Sequence, residues 1–307
     1  MQIVVIGGAG VLGQALLRAI VARGVLTRSD GVPAPVRRVI AVDRTQPARL
    51  FVEPRVEYVR DDLASPRLLQ AVMGTATDSV FHAWDSGAGG RNMSFALADS
   101  LRDLFDVCEL QTSRPKVVLA SSFAAEGPAG ESRALPAAPE GLTALVGELL
   151  LAEAVHQGRV DGRALRLALI AAAPGCASFL GELLRAVNQG RPAHCPIPCE
   201  APLWLTSAPA AARALLHAHE LPPAAWAQAG VLNAPASALS VDALLQALGR
   251  WNGRPSDPPA LGPDPALCEA LARLPLRAAI ETALTLGFED GENAEDLVRS
   301  LVGDPDP

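Results

Sequence analysis

Apolar residues recur along this chain in two rhythms, and the order in which they alternate predicts the architecture. Ile3 to Ile6 is an unbroken apolar run, the pattern of a strand buried on both faces. Val11 to Ala22 then carries apolar residues at helical spacing, and this first helix ends near Arg23. Arg38 to Val42 and Val56 to Val59 read as a second and a third strand, Pro66 to Met73 as a helix, and Ser79 to Ala83 as a fourth strand. Asn92 to Leu110 is a long helix with Leu97, Leu101, Leu104 and Phe105 on one stripe. Lys116 to Ala120 is the fifth strand, Glu140 to His156 a helix, and Arg163 to Ala171 a further strand. Repeated strand–helix units of this kind predict an α/β fold with a doubly wound parallel sheet.

From Pro174 onward the elements shorten and prolines multiply. Helices are expected near Phe179 to Asn188, Ala208 to His219, Val241 to Trp251, Ala266 to Leu274, Ala278 to Leu284 and Ala294 to Leu301. The division predicted is residues 1–173 as one domain and 174–307 as a smaller, mostly helical lobe, with the chain free to cross between them.

The connection between the first strand and the first helix carries the first functional signal. Gly7-Gly8-Ala9-Gly10 follows the strand directly, and Gly13 falls one turn into the helix. Strand, glycine turn and helix in this order form the opening unit of a Rossmann-type dinucleotide site. Gly7 suits the tight turn, Gly10 lets backbone N–H groups approach a pyrophosphate, and Gly13 lets the helix pack closely. The positive end of the helix dipole faces the phosphates. The second strand ends at Asp43, where an acidic residue accepts hydrogen bonds from an adenosine ribose. Arg44 follows it, so NADP stays open, but Asp43 would repel a 2′-phosphate and NAD is the expected cofactor. Ser121 and Ser122 stand at the C-terminal end of the fifth strand, the edge at which open parallel sheets bind ligands.

Composition narrows the class. In 307 residues, half of them apolar, no uninterrupted apolar run approaches a membrane span. The chain opens on a strand, which leaves no expected signal peptide, and the fold reads as that of a cytoplasmic protein. A formal charge of −7 without a basic cluster argues against nucleic acid. The five cysteines (Cys108, Cys176, Cys195, Cys199 and Cys268) are scattered and read as reduced thiols. The chain holds one tyrosine, Tyr58, and one lysine, Lys116.

With these residues in view, the chain resembles the extended short-chain dehydrogenase/reductases, the NAD-dependent epimerase/dehydratase group. The resemblance spans nearly the whole chain: GGAGVLG at Gly7 to Gly13, Asp62-Leu63, FHAW at Phe81 to Trp84, VVLASS at Val117 to Ser122, and LGF at Leu286 to Phe288. Within that group it looks most like the D-erythronate dehydrogenase subfamily. The stretches that say so are GELLL from Gly147, VDGRALRL from Val160, CPIP from Cys195, LWL from Leu203 and LLHAHELP from Leu215. The resemblance implies that Gly7, Gly10, Val11 and Leu12 hold the pyrophosphate, Asp43 the ribose, and Asp62 and Leu63 the adenine. Ala83 and Ala120 would line the cofactor path, and Ser122 falls at the catalytic serine. It also implies a homodimer through the helices near 92–110 and 140–156, and a small sugar acid or polyol as substrate.

The departures from that family lie at the chemistry. Its Tyr-x-x-x-Lys pair, which moves the carbinol proton and grips the nicotinamide ribose, maps to Glu140 and Ala144. The family asparagine on the long helix maps to Leu97, and the arginine after the sixth strand to Ala173. Neither Tyr58, inside a strand, nor Lys116, at the far sheet end, can relocate to serve. Glu140 is the remaining candidate acid–base group, against the plainer reading of a solvated first-turn glutamate. His82 reads as a packing residue rather than a proton shuttle, and Trp84 and Asp85 as possible pocket lining. His194, Cys195 and Cys199 resemble a metal set in composition, but the intervening Pro-Ile-Pro favours plain structure, so no metal is expected. His217 and His219 lie two apart on a helix and face different ways. Ser122 lacks a nucleophile elbow. Two readings follow: an NAD(H)-dependent oxidoreductase or epimerase-like protein with atypical or impaired catalysis, or an inactive dinucleotide- or partner-binding pseudoenzyme.

Overall fold

A computed structural model describes residues 1–47, 50–60, 66–83, 93–126, 136, 138–171, 178–227, 230–253, 255, 257–275 and 278–302. Its centre is a seven-stranded parallel sheet: β1 (Gln2–Ile6), β2 (Arg38–Asp43), β3 (Val56–Arg60), β4 (Ser79–His82), β5 (Lys116–Ser122), β6 (Asp161–Leu167) and β7 (Val231–Asn233). The spatial order is β7-β6-β5-β4-β1-β2-β3. It reverses at β1, so a crevice opens at the C-terminal ends of β1 and β4, where such sheets bind ligands. Ile3, Val4, Val5 and Ile6 are wholly buried, as the unbroken apolar run required.

Helices cover both faces. On one lie α1 (Val11–Arg23) and α6 (Ala208–Glu220), which pack against each other. On the other lie α2 (Pro66–Met73), α3 (Met93–Glu109) and α4 (Pro139–His156). The alternating side chains of each strand feed two cores. Val118, Leu165 and Leu167 join α1 and α6, while Val117, Leu119 and Ala164 join α3 and α4. Each fully buried Leu or Ile contributes about 1.5–3 kcal/mol.

The second lobe has its own core, built by α5 (Ser178–Asn188), α7 (Val241–Asn252) and α8 (Ala294–Val302) around Cys195, Ile197 and Leu205. The chain crosses between the lobes: α6 and β7, both beyond residue 173, pack onto the first lobe, and β7 forms the edge of its sheet.

Several local expectations differ from what is observed. Between α1 and β2, where no element was expected, the chain closes as a two-stranded hairpin, Val25–Thr27 against Pro33–Pro35. The strand expected over Arg163 to Ala171 divides. Its first part stays in the main sheet as β6, while Leu169 and Ile170 pair with Leu205 and Thr206. Helix α4 belongs to the pair through which the family resemblance implies a homodimer. In a single chain it buries Gly141, Thr143, Gly147, Glu148, Leu151 and Ala154, and leaves Leu142 and Leu149 exposed.

Candidate active site

The glycine turn is built for close approach. Gly7 has φ +82°, a conformation costly for any residue with a Cβ. A Cβ on Gly13 would lie 2.1 Å from the Gly7 carbonyl oxygen, so the helix sits directly on the turn. The Gly7 and Gly8 amides donate to Val42 O at 2.9 and 3.2 Å, tying the turn to the end of β2. Helix α1 starts from Gly10 with no side-chain cap and no acidic residue in its first turn. Its first amides are therefore left for an external anion.

Asp43 closes the other side of the crevice. One carboxylate oxygen accepts from the Ala9 amide at 3.0 Å. The other accepts from the Thr45 amide and hydroxyl at 3.0 and 3.1 Å. The side chain is thus held against the turn by three hydrogen bonds. Ala83 is buried and its amide donates to Ile6 O at 2.8 Å. Ala120 is half-buried on β5. Asp62, Leu63, Trp84, Asp85 and Ala173 lie outside the described residues.

Ser122 ends β5 and caps the short 3₁₀ turn Phe123–Ala125, its Oγ accepting from the Ala124 amide at 3.2 Å. Helix α4 rests its first turn on the same segment: a Cβ on Gly141 would lie 2.0 Å from Ala124 O. Glu140, next to Gly141, is exposed, and no hydrogen bond or ion pair holds it among the described residues. Glu140, Ala144 and Glu148 stand four apart, on one helix face. The structure brings this face to the sheet end at Glu148, which is buried and accepts from Ser121 Oγ at 2.5 Å. Arg166 on β6 donates to both Glu148 oxygens, Nε at 2.8 Å and a terminal nitrogen at 2.7 Å. Burial is the largest single influence on Arg166 and works against its charge, but the Glu148 hydrogen bonds together with the Glu148 and Glu126 charges outweigh it, so its pKa is raised. Glu126 and Asn233 extend the network, Asn233 Nδ2 donating to Glu126 Oε1 at 2.6 Å. The sequence reading did not find this group. A single glutamate inside the apolar run of α4, and an arginine inside a strand, were the available signals.

The two residues needed for a family-type proton transfer are elsewhere and occupied. The Tyr58 hydroxyl donates to Phe51 O and accepts from Gln14 Nε2, both at 3.2 Å. Lys116 is buried at the N-terminal sheet end and donates to His219 O at 3.0 Å. Beside it, His219 Nε2 lies 2.8 Å from Ser79 Oγ, and Nδ1 lies 2.8 Å from Glu220. This is the spacing of a serine–histidine–carboxylate triad, but Ser79 and His219 are wholly buried. A carboxylate only accepts, so Nδ1 carries the proton and Nε2 accepts from Ser79. His82, at the C-terminal end of β4, is also buried, and burial pushes its pKa down to about 4. His217 instead packs on Phe288 and meets Leu286 O, away from His219's partners. Cys195 is buried and donates to Ile197 O. Among the described residues no group of three or more His, Cys, Asp or Glu is arranged to hold a metal, and no helix is long and apolar enough to cross a membrane.

Known proteins resemble this chain over nearly its whole length. The chain is 31% identical to a D-erythronate dehydrogenase of Cupriavidus necator, over 99% of this chain and 98% of that one. It is 25% identical to a D-erythronate dehydrogenase of Haemophilus influenzae, over 98% and 99%. Its fold matches the crystal structure of a nucleoside-diphosphate-sugar epimerase from Agrobacterium tumefaciens with a TM-score of 0.83 at 24% identity, covering 99% and 94% of the two chains. The sequence profile of the NAD dependent epimerase/dehydratase family matches residues 3–227, and the chain belongs to that family.

Proposed function

We propose that this protein binds NAD(H) and acts, slowly or atypically, as an oxidoreductase on a small sugar acid or polyol. The observation that carries the cofactor assignment is the pre-built glycine turn with Asp43 pinned beside it. Gly7, Gly10, Val11 and Leu12 would hold the pyrophosphate through the first amides of α1, and Asp43 the adenosine ribose. Asp62 and Leu63 would contact the adenine, and Ala83 and Ala120 would line the path toward Ser122. Bound there, the nicotinamide would supply the hydride acceptor or donor. Ser122 stands ready to hydrogen-bond the carbinol oxygen, and its hydroxyl is already oriented by the Ala124 amide. Residues 1–173 would serve mainly as the cofactor domain and 174–307 as the substrate lobe. The D-erythronate dehydrogenase relatives make D-erythronate the first substrate to try.

A second reading, the pseudoenzyme, is favoured by a specific observation: no described side chain takes over the roles of the missing tyrosine and lysine. Glu140 occupies the tyrosine position but is exposed and unheld, whereas a positioned acid–base group is worth roughly 10²–10⁴ in rate. The exposed apolar face of α4 suits a homodimer through α3 and α4. Calorimetric titration tests the cofactor assignment. NAD⁺ or NADH binding more tightly than NADP⁺ is expected, and no binding of either at millimolar concentration would overturn it. Turnover of D-erythronate with bound NAD⁺ then separates the enzyme from the pseudoenzyme.

A further inference from the structure

We infer that Glu126 is a specificity-determining residue at the far end of the substrate site, selecting a ligand end rich in hydrogen-bond donors and rejecting an anionic one. This rests on the reading of a small polyhydroxy substrate with its reacting carbon near Ser122.

Position comes first. Ser122 and Glu126 stand at the two ends of the same 3₁₀ turn, with the Glu126 amide donating to Phe123 O at 3.0 Å. From Ser122 the two side chains lead in different directions. The glycine turn lies toward β4 and β1, while Glu126 reaches Arg166 on β6 and Asn233 on β7, on the opposite side. The reacting end of a substrate thus faces β4, and its other end faces Glu126. Asn233 also donates to Ala279 O at 3.0 Å, and Phe123 packs with Trp204, Ala236 and Ile280. Glu126 therefore sits where the second lobe closes on the sheet.

Charge comes second. Arg166 is already matched by Glu148 through two short hydrogen bonds. Its distance to Glu126 Oε1 is 3.7 Å, an ion pair without a hydrogen bond. Glu126 consequently adds a negative charge that this group does not balance. Its side chain keeps 27% of its surface exposed, and Oε2 has no hydrogen bond among the described residues. The adjacent amide carries an independent demand of the same sign. Both donors of Asn233 Nδ2 are used, on Glu126 and on Ala279 O, which fixes the amide orientation. Asn233 is more than nine-tenths buried, and its Oδ1 has no hydrogen-bond partner among the described residues. A buried acceptor left unsatisfied is costly, and this one, sealed behind Glu126, adds to the negative potential at the carboxylate. The exposed Glu126 Oε2 and an excess negative charge suit hydroxyl or ammonium groups, whereas a carboxylate would meet like charge.

Three four-carbon probes test this by saturation-transfer NMR with NAD⁺ present: erythritol, D-erythronate and tartrate, which carry zero, one and two carboxylates. The wild type is expected to bind D-erythronate at least ~10-fold more tightly than tartrate, the scale of one close like-charge contact. Glu126→Gln, with NAD⁺ affinity unchanged as the fold control, should bring the two within about threefold. Equal binding of tartrate and D-erythronate to the wild type, or a ratio unmoved by Glu126→Gln, overturns the role of Glu126 and leaves the sugar-acid reading standing. Binding of erythritol but of neither acid supports Glu126 and overturns the sugar-acid reading. No binding of any probe overturns both.

Discussion

The two ends of the parallel sheet hold polar networks of similar content and opposite character. At the N-terminal end, Ser79, His219 and Glu220 form a hydrogen-bonded series, with Lys116 on the His219 carbonyl and Arg163 paired to Asp161 at 2.8 Å. At the C-terminal end, Ser121, Glu148, Arg166 and Asn233 form the inner part, and Glu126 and Glu140 remain partly or wholly open. The first end has triad spacing and the chain's one lysine, yet Ser79, His219 and Arg163 have no exposed surface. The second lacks a tyrosine–lysine pair but lies beside the crevice, the glycine turn and Ser122. The difference teaches that hydrogen-bond geometry does not define an active site. Access does, and here the best-formed triad is a structural brace.

The largest test of this contrast supplies the open end with the groups it lacks. Glu140→Tyr combined with Ala144→Lys should raise NAD⁺-dependent turnover of D-erythronate by roughly 10²–10⁴, measured as NADH formation. An unchanged rate would mean that the helix face of residues 140, 144 and 148 does not present its first turn to the substrate. At the sealed end, Arg163→Met should lower stability by about 3–5 kcal/mol, because it leaves the buried Asp161 carboxylate without its cation. Urea unfolding measures this, and a loss below ~1 kcal/mol would show that the far network is not a brace.

A third test compares the two buried histidines. The folded protein holds His82 neutral with its pKa near 4, against 6.5 when exposed. Between these values the unfolded chain binds more protons than the folded one, so stability falls as pH falls from about 6.5 toward 4. The span is worth roughly 3 kcal/mol. His219 is also pushed down by burial and by the Lys116 and Arg163 charges, with the Glu220 hydrogen bond and charge pulling the other way. His82→Phe and His219→Phe should therefore each remove part of the acid-side slope, read from thermal melts between pH 4 and 7. The smallest effect is expected at Glu140 itself. Glu140→Gln should leave turnover within about threefold, since an unheld side chain contributes little to proton transfer. A loss of 10²-fold or more would make it the acid–base group.

Much of this architecture was legible along the chain. The unbroken run Ile3 to Ile6, the glycines after it and Asp43 at the end of β2 are local signals, each tied to a local backbone requirement. They gave the sheet and the crevice at its C-terminal edge. The absence of a tyrosine–lysine pair could also be read by counting. The network around Glu148 could not, because Ser121, Glu126, Arg166 and Asn233 come from three strands and a turn separated by up to 112 positions. The side of α4 that meets the sheet was not legible for a related reason. Apolar residues lie on nearly every side of this helix, and close packing selected Gly141 and Gly147 for the inside over Leu142 and Leu149.

The sequence by itself determined the strand–turn–helix unit and the loss of the family's proton-transfer pair, because backbone conformation and residue identity are properties of short segments. Only the tertiary structure decided which polar groups are sealed and which stay open. That choice depends on what packs over each sheet end: α6 covers the lower end, while the upper end meets the second lobe with acceptors still to be satisfied.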